Sequence, residues 1–157
     1  MTGMIAHHAQ ALVMARLAPT HGAGPAVRIL CERILVSQAE EIAAMQDWLR
    51  DRGQPVPSAT DTRVHMTTGG MQHDMLMPGM LTDEQLAQLD AARAVEFDRL
   101  FLTLMIQHHE GALTMVDELL ASENAAQDTF VYKTASDIWA DQDTEIERMA
   151  KLLAAQP

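Results

Sequence analysis

The sequence is short of several residue types, and each shortage excludes a class of protein. A single cysteine, Cys31, in 157 residues allows neither an intramolecular disulfide nor a zinc site built on cysteine pairs. Aromatic residues make up 4% of the chain, whereas Ala, Leu, Met, Gln and Glu are abundant. This composition favours helices over strands, and the length suits one domain with a buried core.

Positive charge and long apolar runs are also scarce. Eleven basic residues face 22 acidic ones, for a formal charge of -11. An acidic surface repels phosphate backbones, so nucleic acid is an unsuitable partner. No apolar run approaches the ~20 residues that span a bilayer, and no signal peptide is visible. A homo-oligomer is compatible with this composition, which identifies no protein partner.

The most informative feature present is an internal repeat. Residues 4–15 read MIAHHAQALVMA and residues 105–116 read MIQHHEGALTMV. Seven positions recur at an offset of 101: Met4, Ile5, His7, His8, Ala11, Leu12 and Met14 return as Met105, Ile106, His108, His109, Ala112, Leu113 and Met115. Four more recur at an offset of 104: Gln38, Glu41, Ile42 and Met45 return as Gln142, Glu145, Ile146 and Met149. A repeat this long indicates a duplicated supersecondary unit.

Helix signals divide the chain into two hairpins. Thr82 and Gln85 form a capping box, and Asn124 is a candidate cap for the last helix. The predicted helices cover residues 4–18, 25–51 and 82–121, and a fourth runs from this cap to about residue 153. Hairpins over 4–51 and 82–154, joined by a Met-, Gly- and Pro-rich loop over 53–80, predict an all-α four-helix bundle in one domain.

The repeated residues include types that bind metals. At 100° per residue, His8 and His109 lie near the centres of apolar helix faces, and His7 and His108 lie at their edges. Two-fold pseudo-symmetry then predicts that His8 and His109 meet in the core, with the other pair nearer the rim. The candidate metal ligands are His7, His8, His108, His109, Met14, Met115, Glu41, Glu145, Met45 and Met149.

The types of the candidate ligands narrow the choice of metal. Imidazole with thioether favours copper, especially Cu(I), whereas carboxylate with imidazole favours zinc or iron. The sequence contains no Glu-x-x-His, the pattern of ferritin-type di-iron sites. A second candidate is the loop, as a capture segment for soft metals. It carries His65, Met66, Met71, His73, Met75, Met77 and Met80.

Three functions are compatible with these residues. The first is a soft-metal binding protein, with copper as the favoured ion. The second is a structural or partner-binding bundle that holds a buried His/Glu network and no metal, since duplication can copy a hydrogen bond as readily as a ligand. The third is a ferritin-like metalloenzyme, which the sequence favours least because no nucleophile motif or phosphate loop accompanies the histidines.

The chain resembles the bacterial family called domain of unknown function 305 over nearly its whole length. The resemblance rests on Met4-Ile5-x-His7-His8-x-Gln10-Ala11-x-x-Met14-Ala15, on Gln38-x-x-Glu41-Ile42-x-x-Met45-x-x-Trp48-Leu49, and on Phe101-Leu102-x-x-Met105-Ile106-x-His108-His109-x-Gly111-Ala112-x-x-Met115. It implies a ferritin-like four-helix bundle, copper binding through Met and His in some members, and export to the periplasm or medium. The first repeat starts abruptly, so we expect a chain shortened at its front, with its leader lost.

Overall fold

Four long helices form the bundle that the sequence predicts. The computed structural model describes residues 1–68, 71–123 and 127–156, with the backbone alone for 65–68 and 71–73. Along the chain these residues form α1 (Thr2–Ala15), α2 (Pro25–Asp51), β1 (Val64–Thr68), β2 (Met71–Met75), α3 (Asp83–Ala91), α4 (Ala94–Ala121) and α5 (Thr129–Ala154). α1 packs with α2, α4 packs with α5, and the two hairpins meet where α1 contacts α4.

The ends of the first hairpin follow from local chemistry. α2 begins at Pro25, where the missing N–H costs nothing, and covers the predicted range. α1 ends at Ala15, three residues before the predicted end, because the backbone changes there to the tighter hydrogen bonds of a 3₁₀ turn. Backbone bonds from Leu17 to Met14 and from Ala18 to Ala15 replace the helical pattern just before Pro19.

The third predicted helix is two helices, α3 and α4. Ala92 and Arg93 are extended, and Ala94 has a φ of 51°. The Ala94 N–H donates to the carbonyl of His21 at 2.8 Å, so a contact with the α1–α2 turn replaces a helical hydrogen bond. Ala and Arg both favour helix, so no local signal in the sequence marks this break.

The segment over 53–80 differs from the predicted loop at its centre. β1 and β2 pair antiparallel, with Val64 opposite Met75 and Thr68 opposite Met71. β-branched Val64, Thr67 and Thr68 favour this extended backbone. The described residues on either side of the hairpin, 53–63 and 76–80, contain neither helix nor strand, as predicted.

Two helix starts were assigned from caps. The capping box of α3 is confirmed, because the Gln85 N–H donates to Thr82 Oγ1 and the Thr82 N–H donates to Gln85 Oε1. α5 starts at Thr129, and Asp128 Oδ1 accepts the N–H groups of Phe130 and Val131. Asn124, the predicted cap, lies outside the described residues. Across the described parts of the chain, no helix is long and apolar enough to cross a bilayer.

A strap, residues 76–81, crosses the bundle where α1 meets α4. The buried Gln10 amide donates to the Leu81 carbonyl at 3.0 Å and accepts the Leu81 N–H at 2.7 Å. Gly111 on α4 lets the strap lie directly on the helix, since a Cβ there would stand 2.0 Å from the Pro78 carbonyl oxygen. Gly79, at φ +75°, lies over the same turn of α4, where an added Cβ would stand 2.6 Å from the Gln107 carbonyl oxygen.

Substituting Gly111→Ala is therefore expected to destabilise the fold. A Cβ would overlap backbone that cannot move without breaking the strap's hydrogen bonds, and overpacking of this kind costs about 1–3 kcal/mol. Urea unfolding measures the change. Glu110→Ala, at the exposed neighbouring position, serves as the control and is expected to change stability by less than about 0.5 kcal/mol. Equal stability of the two variants would contradict the close approach.

Candidate metal centre

Four histidines lie together in the middle of the bundle. His7 and His8 on α1, and His108 and His109 on α4, are all fully buried. The rings of His7 and His108 are in contact across the two hairpins, with centroids 3.8 Å apart and planes tilted by 41°. Within each pair the centroids are 6.3 Å and 6.2 Å apart.

The predicted arrangement of these histidines is wrong in one respect. His7 and His108, expected near the rim, form the central contact, and His8 and His109 turn toward α2 and α5 instead. Nine consecutive residues of α1, 4–12, are buried, so α1 has no exposed face over this stretch. The apolar phase of such a helix cannot indicate which histidine points toward the partner hairpin.

Hydrogen bonds fix the orientation of three imidazoles. His7 Nε2 lies 3.0 Å from the carbonyl oxygen of Pro78 in the strap. A carbonyl only accepts, so the ring donates and carries its proton on Nε2. His8 Nε2 donates in the same way to Glu41 Oε2 at 2.6 Å, and His109 Nε2 donates to Glu145 Oε2 at 2.7 Å. Each glutamate therefore orients the histidine of its own hairpin.

The opposite ring nitrogens have no partner in the protein. The Nδ1 atoms of His7, His8 and His109 are buried and make no hydrogen bond. The His108 ring approaches the backbone of His7, but neither of its nitrogens forms a hydrogen bond of good geometry. In a neutral imidazole whose Nε2 donates, Nδ1 keeps its lone pair. Metal-binding histidines show this arrangement, with one nitrogen held by a carboxylate or carbonyl and the other free for the ion. The donor set therefore fits a metal.

Burial keeps the central pair neutral. Burial, and after it the adjacent His8, lower the pKa of His7 from 6.5 to about 3. Burial also lowers the pKa of His108 well below 6.5, with His7 as the next cause. Neither ring carries a proton that a metal ion would have to displace at neutral pH.

Two buried amides lie on the same helices as the glutamates that hold His8 and His109. Gln38 on α2 is 1% exposed and Gln142 on α5 is 3% exposed, and the repeat makes them equivalent. Both polar atoms of Gln38, and Oε1 of Gln142, have no protein hydrogen bond. Each lies one helical turn before the glutamate that holds a histidine. The sequence reveals both as members of the repeat at an offset of 104, but their unpaired state could not be predicted.

The predicted methionine ligands fall into two sets related by the repeat. Met14 and Met149 lie in one apolar cluster with Met105. Met115 and Met45 lie in the other cluster with Met4. Each set takes members from both hairpins, as a pseudo-two-fold axis between α1 and α4 requires.

One loop methionine also lies near the histidines. An added Cβ at Gly3, one turn before His7, would stand 2.9 Å from Met77 Sδ and 3.5 Å from Met115 Cε. Met77 directly precedes Pro78, whose carbonyl holds His7. Of the other loop residues, Met75 is exposed and Met80 is buried. The side chains of His65, Met66, Met71 and His73 lie outside the described part.

The described His, Cys, Asp and Glu side chains do not converge in a group of three or more that could bind one ion. Glu41 and Glu145 are engaged by His8 and His109. A site formed by two imidazoles therefore needs thioethers to complete it, which is the ligand chemistry of copper rather than of Mg²⁺ or Ca²⁺.

The low pKa values predict loss of stability in mild acid. The unfolded chain binds a proton at each histidine near pH 6.5, whereas folded His7 does so only near pH 3. The free energy of unfolding should therefore fall as the pH drops below about 6.5, by up to about 1.4 kcal/mol per pH unit for each such histidine. Urea unfolding of the metal-free protein between pH 7 and pH 5 measures this slope. A His108→Leu variant should show a shallower slope, and equal slopes would contradict the prediction.

The unpaired Gln38 amide predicts a stabilising substitution. Gln38→Leu keeps the side-chain volume and removes two buried polar atoms without partners, so the metal-free protein should gain about 1 kcal/mol. Gln46→Leu on the same helix is the control, because Gln46 Nε2 donates to the Pro57 carbonyl at 2.8 Å and its loss should destabilise. Equal destabilisation of both variants in urea would show that Gln38 is satisfied within the protein.

Known structures share this architecture. The chain is similar to a DUF305 protein from Streptomyces coelicolor that is described as secreted, with 26% identity, a TM-score of 0.81, and coverage of 99% of this chain and 90% of the other. A DUF305 fragment from Deinococcus radiodurans is 28% identical, with a TM-score of 0.77 and coverage of 98% and 91%. CopM in its Cu(I)-bound form is 26% identical, with a TM-score of 0.70 and coverage of 96% and 93%.

Sequence comparison gives the family. No curated protein matches the chain. The family model for the domain of unknown function DUF305 matches residues 1–153, a range that includes both hairpins and all four central histidines. The protein therefore belongs to the DUF305 family.

Proposed function

We propose that this protein binds a soft metal ion, with copper as the favoured ion, at the contact between α1 and α4. The observation that carries the proposal is the set of buried imidazole nitrogens without partners. Five such nitrogens belong to four histidines, and three of these rings are held from behind by a carbonyl or a carboxylate. Buried lone pairs that meet no donor are costly unless something binds them.

His7 and His108 are the proposed central ligands, because they are the histidines in contact across the pseudo-two-fold axis. Met77 and Met115 are the proposed thioether ligands, since their side chains converge beside the turn that precedes His7. Glu41 and Glu145 serve as positioning residues for His8 and His109. Methionine ligation favours Cu(I) over zinc or iron.

A relative whose structures contain bound metal supports copper as the ion. CopM, 26–28% identical to this chain, has been solved in Cu(I)-bound, Cu(II)-bound and Ag-bound forms. Cu(I) and Ag(I) are both soft ions, so these forms agree with a donor set of imidazole and thioether. We also propose an extracytoplasmic location, periplasmic or secreted, which the description of the Streptomyces relative supports.

A structural bundle without metal is the second candidate. The hydrogen bonds of His8 and His109 to glutamates favour it, because such pairs can specify a core by themselves. It leaves the unpaired nitrogens of His7 and His108 unexplained. A ferritin-like metalloenzyme has less support, since the sequence contains no Glu-x-x-His.

Copper titration separates the first two candidates. Anaerobic Cu(I) titration against a competing chelator should give tight binding to the unchanged protein. The binding should weaken at least about 100-fold in a His7→Leu, His108→Leu variant, because second-shell changes alone cost 10–100-fold. His21→Leu is the control, since His21 is also buried but bonds to Thr20 and Asp90 away from the centre. Absence of binding by the unchanged protein would leave the structural bundle as the function.

A further inference from the structure

A groove runs along the outside of the bundle between α2 and α5. These helices make few direct contacts with each other, and two adjoining hollows of about 600 Å³ and about 510 Å³ lie between them. The hollows share Ser37, Glu40 and Asp141, so they form one continuous channel open to solvent.

The groove is strongly acidic. Its lining contains six carboxylates and two basic groups, namely Glu32, Glu40, Glu41, Asp137, Asp141 and Glu145 against Arg33 and Lys133. Lys133 pairs with Asp137, which leaves a net negative charge around Asp141. Partial burial raises the pKa of Asp141, and the nearby carboxylates of Glu41 and Glu145 raise it further. A cation in this groove would relieve that repulsion.

The groove connects directly to the histidines. Glu41 and Glu145 are each 18% exposed at the side chain. They line the groove, and each also accepts the hydrogen bond of one buried histidine. Gln38 and Gln142 lie one turn before them, buried, with amide oxygens that have no partner. Polar groups therefore continue from solvent, past Asp141 and the two glutamates, to the imidazoles.

The strap covers α1 and α4 on their other side, with the Pro78 carbonyl on His7 and the Gly79 backbone against Gly111. Among the described residues, a hollow of about 390 Å³ beside α1 is lined by neither Glu41 nor Glu145. A smaller hollow of about 170 Å³ at the end of the bundle is lined by apolar side chains that include Met4 and Met115. The lining of this hollow contains no carboxylate, so it offers an approaching cation none of the electrostatic attraction that the groove does.

We propose that the α2–α5 groove is the access path of the metal ion, and that Asp141, Glu41 and Glu145 hold the ion there with its water shell before it reaches the histidines. This inference rests on the proposed function. The three carboxylates cannot contact one ion directly, so they act through bound water. Gln38 and Gln142 then supply amide oxygens as that water is lost. The ligand class is a hydrated copper ion, for which Cu(II) is the probe.

Stopped-flow mixing with Cu(II) tests the outer step. Quenching of Trp48 and Trp139 fluorescence reports uptake, and transfer to a chelator reports release. Asp141→Asn should slow both rates about 10-fold at low salt and flatten the dependence of uptake on ionic strength, with the Kd changed by less than about 3-fold. Asp117→Asn, the same charge change at an exposed position on α4, should alter neither rate.

A second variant tests the amides. Gln38→Leu with Gln142→Leu should slow uptake and release by the same factor, whereas Gln46→Leu should not. Faster release with a weaker Kd would overturn the relay, because it would make the glutamines ligands of the bound ion. Unchanged rates in Asp141→Asn, or slower uptake only in Met4→Leu, would overturn the groove as the path while leaving copper binding intact. Absence of Cu(II) and Cu(I) binding by the unchanged protein would overturn the proposed function itself.

Discussion

The contact between His7 and His108 is the constraint around which the bundle is arranged. Two polar rings packed 3.8 Å apart on the crossing of α1 and α4 must each be held in place, since neither can turn toward water. His7 is held by the strap. The neighbouring histidines, His8 and His109, donate hydrogen bonds to glutamates on α2 and α5. These bonds tie the outer helices to the two central ones.

The pseudo-two-fold axis through this contact explains the composition of the core. Each methionine set draws on both hairpins, so neither hairpin can bury its own methionines alone. The same axis relates Gln38 to Gln142 and Glu41 to Glu145. It thereby concentrates acidic side chains along the groove between α2 and α5. Both the methionine sets of the core and the glutamine and glutamate pairs around the histidines thus follow from one duplication.

Much of this arrangement could be predicted from the sequence, because helical periodicity, caps and the repeat are local signals. The four long helices, the Thr82 cap and the burial of His8 and His109 follow from them. The break before Ala94 could not, since its cause is a carbonyl of His21 in another hairpin. The central role of His7 could not either, because its partner in the strap lies 71 residues away and α1 is buried on all sides.

The connection between the hairpins makes the two copies unequal. Within the described residues, the first copy alone has a strap carbonyl that accepts a hydrogen bond from its leading histidine, so the His7 ring is fixed. Neither ring nitrogen of His108 has a hydrogen-bond partner of good geometry. A ligand bound across the axis would meet one imidazole that a hydrogen bond to the strap fixes and one that packing alone positions. The position of His108, rather than that of His7, would therefore adjust to ions of different size or geometry. The linker between the hairpins thus gives the two copies of one repeat different roles.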